Sequence, residues 1–346
     1  MRKHLTVLLL LCAVLLSACG ARGGETYSLT LWYAEGDPLA PAILGLAEDY
    51  NRRLGRKSLP VTARAWPDEE QMRAALQSGA RPALLLCSHE LAFSLFELGA
   101  LVEPGLEGPA YPAWLCQRSA CVGRGYYPIG FELPLLCTGG GFPAELGDLL
   151  EQAAVRGREG GAPCLAVDRF APLFYQVMLD AGAEFCALPE RDAFSQEYVG
   201  LYNALAGAVF DGGLSLDPAA ETACRIESSA ALRGRDLSGR SLRPLSDGSL
   251  LAEGRGLGVT VRDTRMQRAL PDFLRWLMKS GRLGQSALES GLIPAAPEAL
   301  SPGTVLETQL VALMGRSLHL PDAESQYYVN RSSFEVQFRT ALELLD

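Results

Sequence analysis

From Leu29 onward the chain alternates strand-like and helix-like runs, and one short extended stretch interrupts the alternation. That stretch, Tyr126-Tyr127-Pro128-Ile129-Gly130-Phe131-Glu132-Leu133-Pro134, is mostly apolar and holds a single carboxylate, Glu132. Pro128, Gly130 and Pro134 are incompatible with a helix and limit regular structure. The alternation restarts at about Phe142. The stretch therefore reads in one of two ways: a crossover between two α/β lobes, or a buried strand inside one large domain.

The first block reads β-α-β-α-β-α. Leu29 to Tyr33 alternate as a strand, and Glu35-Gly36-Asp37-Pro38 form a polar turn. Ile43, Leu46, Ala47, Tyr50 and Leu54 follow at helical spacing. Val61, Ala63 and Ala65 alternate with Thr62, Arg64 and Trp66. Pro67-Asp68 opens a short helix carrying Met72, Ala75 and Leu76. The continuous apolar run Ala83 to Cys87 suits a strand covered on both faces, and Ser88-His89-Glu90 suits a helix start. This order predicts a largely parallel sheet with helices on both sides.

The second block repeats the theme. Helices are expected over Leu146–Val155, on the face Phe170, Leu173, Phe174, Val177, Met178, Ala181, and on the face Phe194 to Val209. Cys164–Val167 and Ala223–Ile226 read as strands, the second running into Ser228-Ser229 as the cap of another helix. Residues 234–256, rich in Gly, Ser and Arg, read as loop with a brief strand, and Leu257–Val261 as a strand. Pro271 is expected in the first turn of a helix bearing Phe273, Leu274, Leu277 and Met278. Phe334, Phe338, Ala341 and Leu345 mark a C-terminal helix.

The N-terminus reads as a leader rather than as fold. Arg2 and Lys3 precede the short apolar run Leu5–Leu16, and Leu16-Ser17-Ala18-Cys19 resembles the lipobox of bacterial lipoproteins. Residues 1–18 are then a signal peptide, Cys19 the lipidated residue and 19–27 a linker. Losing residues 1–18 removes two bases and no acid, so the net charge of −9 becomes −11. An acidic chain of this kind has no electrostatic reason to bind nucleic acid. Seven cysteines remain after Cys12 and Cys19, an odd number; Cys116 and Cys121 could bridge a loop, and their spacing is a poor zinc signal.

Several segments together resemble the extracellular solute-binding proteins of bacterial ABC importers, the cluster that includes maltose-binding protein. They are Leu29-Thr-Leu-Trp-Tyr33, Arg81 to Glu90, Leu98-Gly-Ala-Leu-Val-Glu-Pro104, Tyr127-Pro-Ile-Gly-Phe-Glu132, Ile226-Glu-Ser-Ser-Ala230, and Phe273-Leu-Arg-Trp-Leu277 with Gly291-Leu-Ile-Pro294. Ala83 stands where the family usually has an acid. The resemblance implies an α/β fold of two lobes, the type II periplasmic-binding-protein fold, each lobe a mostly parallel sheet flanked by helices. It implies lobe 1 from 28–131 plus about 250–300, lobe 2 from 132–249 plus about 301–346, and trimmed loops.

The ligand site should then lie at strand ends facing the inter-lobe cleft. Candidates from the first lobe are Trp32, Tyr33, Glu35, Asp37, Trp66, Asp68, Ser88, His89 and Glu90, with Glu132 at the crossover matching an acid that binds sugar in the family. Candidates from the second are Asp168, Arg169, Phe170, Tyr175, Ser228 and Ser229. Aromatic faces stack on sugar rings, and carboxylates take hydroxyls. Plainer readings stand beside these: Trp32 and Trp276 as core, His89 as a first-turn polar residue, Ser228 and Ser229 as caps, Glu132 as the partner of an arginine within the fold.

Only His89 and His319 follow the leader, which leaves little material for a catalytic triad or a His-rich metal site. No enzyme activity, cofactor or metal is expected. The resemblance implies a lipid-anchored monomer on the outer face of the bacterial cell membrane. It would capture a sugar or oligosaccharide and pass it to ABC permease subunits. A sensor or adaptor without transport, or a receptor for a polyol phosphate, is the alternative.

Overall fold

A computed structural model describes residues 27–55, 58–105, 111–143, 145–182, 196–296, 299–321 and 326–345. The leader, Cys19 and Cys186 lie outside the described residues. The chain begins with β1 (Leu29–Ala34), α1 (Ala40–Arg52), β2 (Val61–Trp66), α2 (Glu69–Gln77), β3 (Leu84–Ser88), α3 (His89–Glu97) and α4 (Ala113–Arg118). Of the expected face, α1 buries Ile43, Leu46, Ala47 and Tyr50, with Ala40 added; Leu54 lies past the helix end and is half-buried. Asp68 and Ser88 cap α2 and α3, accepting from Gln71 N and Leu91 N.

Then come β4 (Tyr126–Glu132) and β5 (Pro134–Thr138), separated by Leu133 alone, followed by α5 (Leu146–Arg158), β6 (Leu165–Val167), α6 (Phe170–Asp180) and α7 (Gln196–Phe210). Next are β7 (Leu214–Ser215), β8 (Cys224–Ser228), β9 (Ser241–Pro244), β10 (Leu250–Leu251) and β11 (Glu253–Val259). The chain ends with α8 (Thr264–Lys279), α9 (Leu283–Glu289), β12 (Ile293–Pro294), α10 (Val305–Leu313), β13 (Leu318–His319) and α11 (Gln326–Glu343).

Two main sheets result. The first has the order β12-β4-β11-β3-β1-β2 and the second β7-β6-β8-β5-β9; β10 and β13 form a small third pair. The stretch Tyr126–Pro134 is thus a crossover: β4 ends in one sheet and β5 begins in the other. The sheets are mixed rather than largely parallel. β1, β2 and β3 run parallel, but β11 is antiparallel to both β3 and β4. Likewise β6, β7 and β8 are parallel while β5 opposes β8. In each case the opposing strand is the one that arrives from the other lobe.

Three buried clusters hold these layers. One covers a face of the first sheet and α1; another lies under α5, α6, α7 and α11 in the second lobe. The remaining cluster continues from Trp32, Leu85 and Tyr126 through Leu133 and Leu135 to Leu242 and Leu310, so it joins the lobes. Ser229 fastens the crossover: its N–H donates to Leu133 O (2.7 Å), and its hydroxyl accepts from Leu133 N (3.1 Å).

Local expectations fail in three places. Pro271 sits at the eighth position of α8, not in its first turn, because Asp263 caps the helix eight residues earlier, accepting from Arg265 N and Met266 N. After Ser228 the chain makes consecutive turns instead of a helix, with Arg233 N bonded to Ala230 O and Arg235 N to Leu232 O, before Gly234 takes a φ of +82°. β11 starts at Glu253, within the run read as loop. The thiols of Cys116 and Cys121 are both free, and Cys121 Sγ lies 3.1 Å from Ser119 Oγ. Among the described residues no helix is long and apolar enough to cross a membrane.

Candidate functional site

A cleft of about 910 Å³ opens between the lobes. Tyr33, Glu35, Asp37 and Pro38, at the end of β1 and the entry to α1, form one wall. Ser228, Ala230, Ala231 and Arg233, at the end of β8 and in the turns after it, form the other, with Glu132 and Arg255 at the floor. Both walls sit at the C-terminal ends of parallel strands, where open α/β sheets place ligands.

The floor is ionic. Arg169, at the N-cap of α6, sends Nη2 to Glu132 Oε1 (3.0 Å) and Nη1 to Glu253 Oε2 (2.9 Å). Arg255 approaches the other Glu132 oxygen (3.5 Å) and pairs with Asp37 (3.1 Å) and Glu69 (3.4 Å). Glu69 in turn accepts from Ser88 N (2.7 Å) and Ser88 Oγ (2.6 Å). Away from the cleft, Arg331 joins Glu253 Oε1 to Glu90 Oε2, both at 2.6 Å, and Arg73 takes the remaining Glu90 oxygen at 3.0 Å. The Tyr327 hydroxyl donates to Glu253 (2.9 Å).

These contacts set the ionisation. Burial alone would push the Glu253 carboxyl up; Arg169 and Arg331, with the Tyr327 hydroxyl and Arg255, outweigh it and hold the group at about 2. Burial works against the guanidinium of Arg169, and Glu253 and Glu132 overcome it, so that its proton is held more firmly than in water. Asp37 shows the opposite balance. Burial raises its carboxyl, and Arg255 and the Leu39 N–H offset that only in part. Asp168 is likewise raised by burial, against Arg169 at 4.0 Å.

Of the residues singled out in the sequence, Tyr33, Glu35, Asp37, Glu132 and Ser228 line this cleft. Arg169 touches it through Glu132, and Ser229 supports it from the crossover. The others are placed elsewhere. Trp32 is 6% exposed, packs against Trp66 with ring centroids 4.7 Å apart, and both stack under Arg64. Asp68 and Ser88 are helix caps. His89 is buried between Ser119 Oγ (2.6 Å) and the Tyr328 hydroxyl (3.4 Å), and burial holds its imidazole at about 4, hence neutral. Glu90 pairs with Arg73 and Arg331 on the far side of the ladder. Phe170 is core against Phe338, and the Tyr175 hydroxyl meets His319 Nε2 at 3.0 Å. Asp168 lies beside Arg169, its carbonyl accepting from Arg339.

Arg255, Glu253, Glu69 and Arg331 were not foreseen as site residues. The segment Glu253-Gly254-Arg255-Gly256 did carry a signal: opposite charges two apart share one face of a strand, and glycines between them admit a close neighbour. A Cβ on Gly256 would lie 2.3 Å from the Tyr127 carbonyl oxygen. Chemically the cleft offers carboxylate and hydroxyl oxygens, guanidinium N–H groups and one aromatic, Tyr33, among the described residues. The described residues contain no group of three or more His, Cys, Asp or Glu fit to hold a metal ion.

No protein-family model and no curated protein sequence matches the chain. Solved structures match over nearly its whole length. The chain is similar to the cyclic α-maltosyl-1,6-maltose binding protein of Arthrobacter globiformis, with a TM-score of 0.66, 15% identity, and 93% of this chain and 95% of that one covered. For the GacH receptor of Streptomyces glaucescens, solved unliganded and with acarbose, the values are 0.67, 16%, 92% and 94%. For the spermidine/putrescine ABC transporter substrate-binding protein PotD of Streptococcus pneumoniae they are 0.60, 12%, 91% and 100%. The structural neighbours are bacterial ABC substrate-binding proteins, and the chain has their two-lobed periplasmic-binding-protein fold.

Proposed function

We propose that this chain is an extracytoplasmic solute-binding lipoprotein that captures a small polar solute, by preference a sugar or oligosaccharide, and delivers it to an ABC importer. One observation carries the reading: a cleft of about 910 Å³ lies between two lobes and is lined from both, with Glu35, Asp37, Glu132 and Arg255 set among apolar residues, so a solute held there would draw them together. Tyr33 would stack on an apolar ring face, and Glu35 and Ser228 would take hydroxyls. Glu132 and Arg255 would present an acceptor and a donor from the floor. Cys19 would carry the lipid that fixes a monomer to the outer face of the membrane, after removal of residues 1–18. The lobes would divide as 28–131 with about 250–300, and 132–249 with about 301–346. No catalytic step is assigned to any residue.

A thermal-shift screen of the mature protein against linear and cyclic α-glucosides, polyols and polyamines tests this. A solute at about a hundred times its dissociation constant adds roughly 2.7 kcal/mol. A shift with an α-glucoside supports the reading, and small-angle scattering should then show a smaller radius of gyration. A shift with a polyamine alone would overturn the sugar preference. The second reading is a sensor or adaptor without transport. It is favoured by Glu132 already being engaged by Arg169 and Arg255, and a folded protein that no solute stabilises would select it.

A further inference from the structure

Glu132 and Glu253 are direct cross-strand partners in the β4–β11 ladder, at the point where both strands leave the first sheet for the second lobe. Like charges opposite one another destabilise a sheet, and both residues are buried. The pair persists because the Arg169 guanidinium from the second lobe spans it, one nitrogen to each carboxylate. Arg331, also from the second lobe, grips Glu253 and reaches across to Glu90 on α3 of the first lobe. Beside this link the Tyr328 hydroxyl faces His89 Nδ1 at 3.4 Å. At the other end Arg255 ties Glu132 to Asp37 in the cleft wall. A single chain of alternating charge therefore runs from the solute cleft, through the crossover strands, to the contact between α3 and α11.

We infer that this chain is an ionic latch. Arg169 pins the second lobe to the crossover strands, and Arg331 with Glu90 clamps α11 against α3. Coupling to a solute follows from the ladder's cleft end and rests on the solute-binding reading: a ligand that takes Glu132 or Arg255 repartitions the contacts of Arg169. The clamp itself needs no solute. α11 moves with the second lobe because its Glu335 accepts from Phe170 N (2.7 Å) and Ala171 N (3.0 Å) at the start of α6. Breaking Arg331–Glu90 therefore loosens the second lobe at its α11 edge rather than a side chain alone, with Arg169 and the apolar cluster still joining the lobes.

The test uses solute-free mature protein and three variants: Arg331→Gln, Glu90→Gln and the two combined. Small-angle scattering and hydrogen exchange are measured from about 50 mM to 1 M NaCl, where the Debye length falls from above 10 Å to about 3 Å. The latch predicts a larger radius of gyration for each variant at low salt. It also predicts exchange about tenfold faster at the start of α3 and in α11, the factor that corresponds to about 1.4 kcal/mol. The double variant should fall short of the sum of the two single ones, because they share the Arg331–Glu90 contact although Arg331 also holds Glu253 and Glu90 also holds Arg73, and the native protein should drift toward the variants as salt rises. Glu90→Gln, at a partly exposed position, serves if Arg331→Gln fails to fold. Unchanged radius and protection in a folded variant, or additive effects in the double one, would overturn the latch. Loss of solute binding in the native protein would instead sink the proposed function and leave these measurements standing.

Discussion

Replacing Glu253 by Gln isolates the electrostatic core of the crossover strands. The side chain keeps its shape but loses the charge that Arg169, Arg331 and Tyr327 share. The folded carboxyl stands at about 2, against an ordinary value of 4.5. At 1.36 kcal/mol per pH unit the difference is worth about 3 kcal/mol. Because the folded value lies below the unfolded one, that stability is fully present above about pH 4.5 and is lost as the pH falls toward 2. The variant also leaves two arginines short of a partner, so at pH 7 the expected cost is about 3–5 kcal/mol. Equilibrium denaturant unfolding of both proteins at pH 7, 5, 4 and 3 measures the gap. Burial holds His89 at about 4 in the native protein, and its titration cancels in the difference. A gap that stays constant from pH 7 to 3, or that is below 1 kcal/mol at pH 7, would refute the reasoning.

His89 itself should stay neutral at pH 5.5. Its depressed value takes stability away as pH drops from 6.5 toward 4, and ¹⁵N imidazole shifts would show a protonated ring if this is wrong. Ser229→Ala strands the Leu133 N–H at the crossover, at a cost of about 1–3 kcal/mol that a melting curve reads directly. Gly256→Ala drives a methyl onto the Tyr127 carbonyl and should cost at least as much as an overpacked core, about 1–3 kcal/mol; an unchanged melting temperature would show that β11 and β4 can move apart. Cys19→Ala should shift the protein from the membrane fraction to the soluble one, and unchanged partitioning would remove the anchor.

The β1–β3 half of the first sheet was legible because its period-two and period-3.6 runs are long and uninterrupted. The crossover was only half legible: Pro128, Gly130 and Pro134 exclude a helix but not a buried strand within one domain, and the resemblance to the binding-protein family was needed to favour a crossover. Strand direction was not: periodicity is the same whether β11 runs with or against its neighbours. The run Ser228 to Gly239 carries hydrophobic Leu232 and a good cap, and the positive φ of Gly234 and Gly239 shows why turns replace a long helix there. In the site, neighbouring residues of a strand face opposite ways. Tyr33 lines the cleft and Trp32 cannot, although both have the chemistry a sugar site wants. Asp68, Ser88 and Glu90 have polar side chains at strand ends, but capping and ion pairing consume them. Arg255 and Glu253 were hidden among glycines that look like loop and in fact admit a close neighbouring strand.

A buried ladder of charges is an expensive way to stabilise a protein, since apolar residues of the same volume often do as well or better. Its distinctive property here is redundancy. Glu132 has two arginine neighbours, Glu253 has two arginines and a tyrosine, and Arg255 has three carboxylates. A group with several partners can release one without being left bare, so the lobes can change their angle at small cost in desolvation. An apolar seam has no such freedom: every degree of opening exposes surface at about 25 cal/mol per Å². The molecule has both kinds of contact, an apolar cluster through Leu133 and Leu135 and the ladder beside the cleft. The apolar cluster keeps the two lobes one body, and under the proposed function the ladder is the part whose partners a solute at Glu132 and Arg255 would exchange.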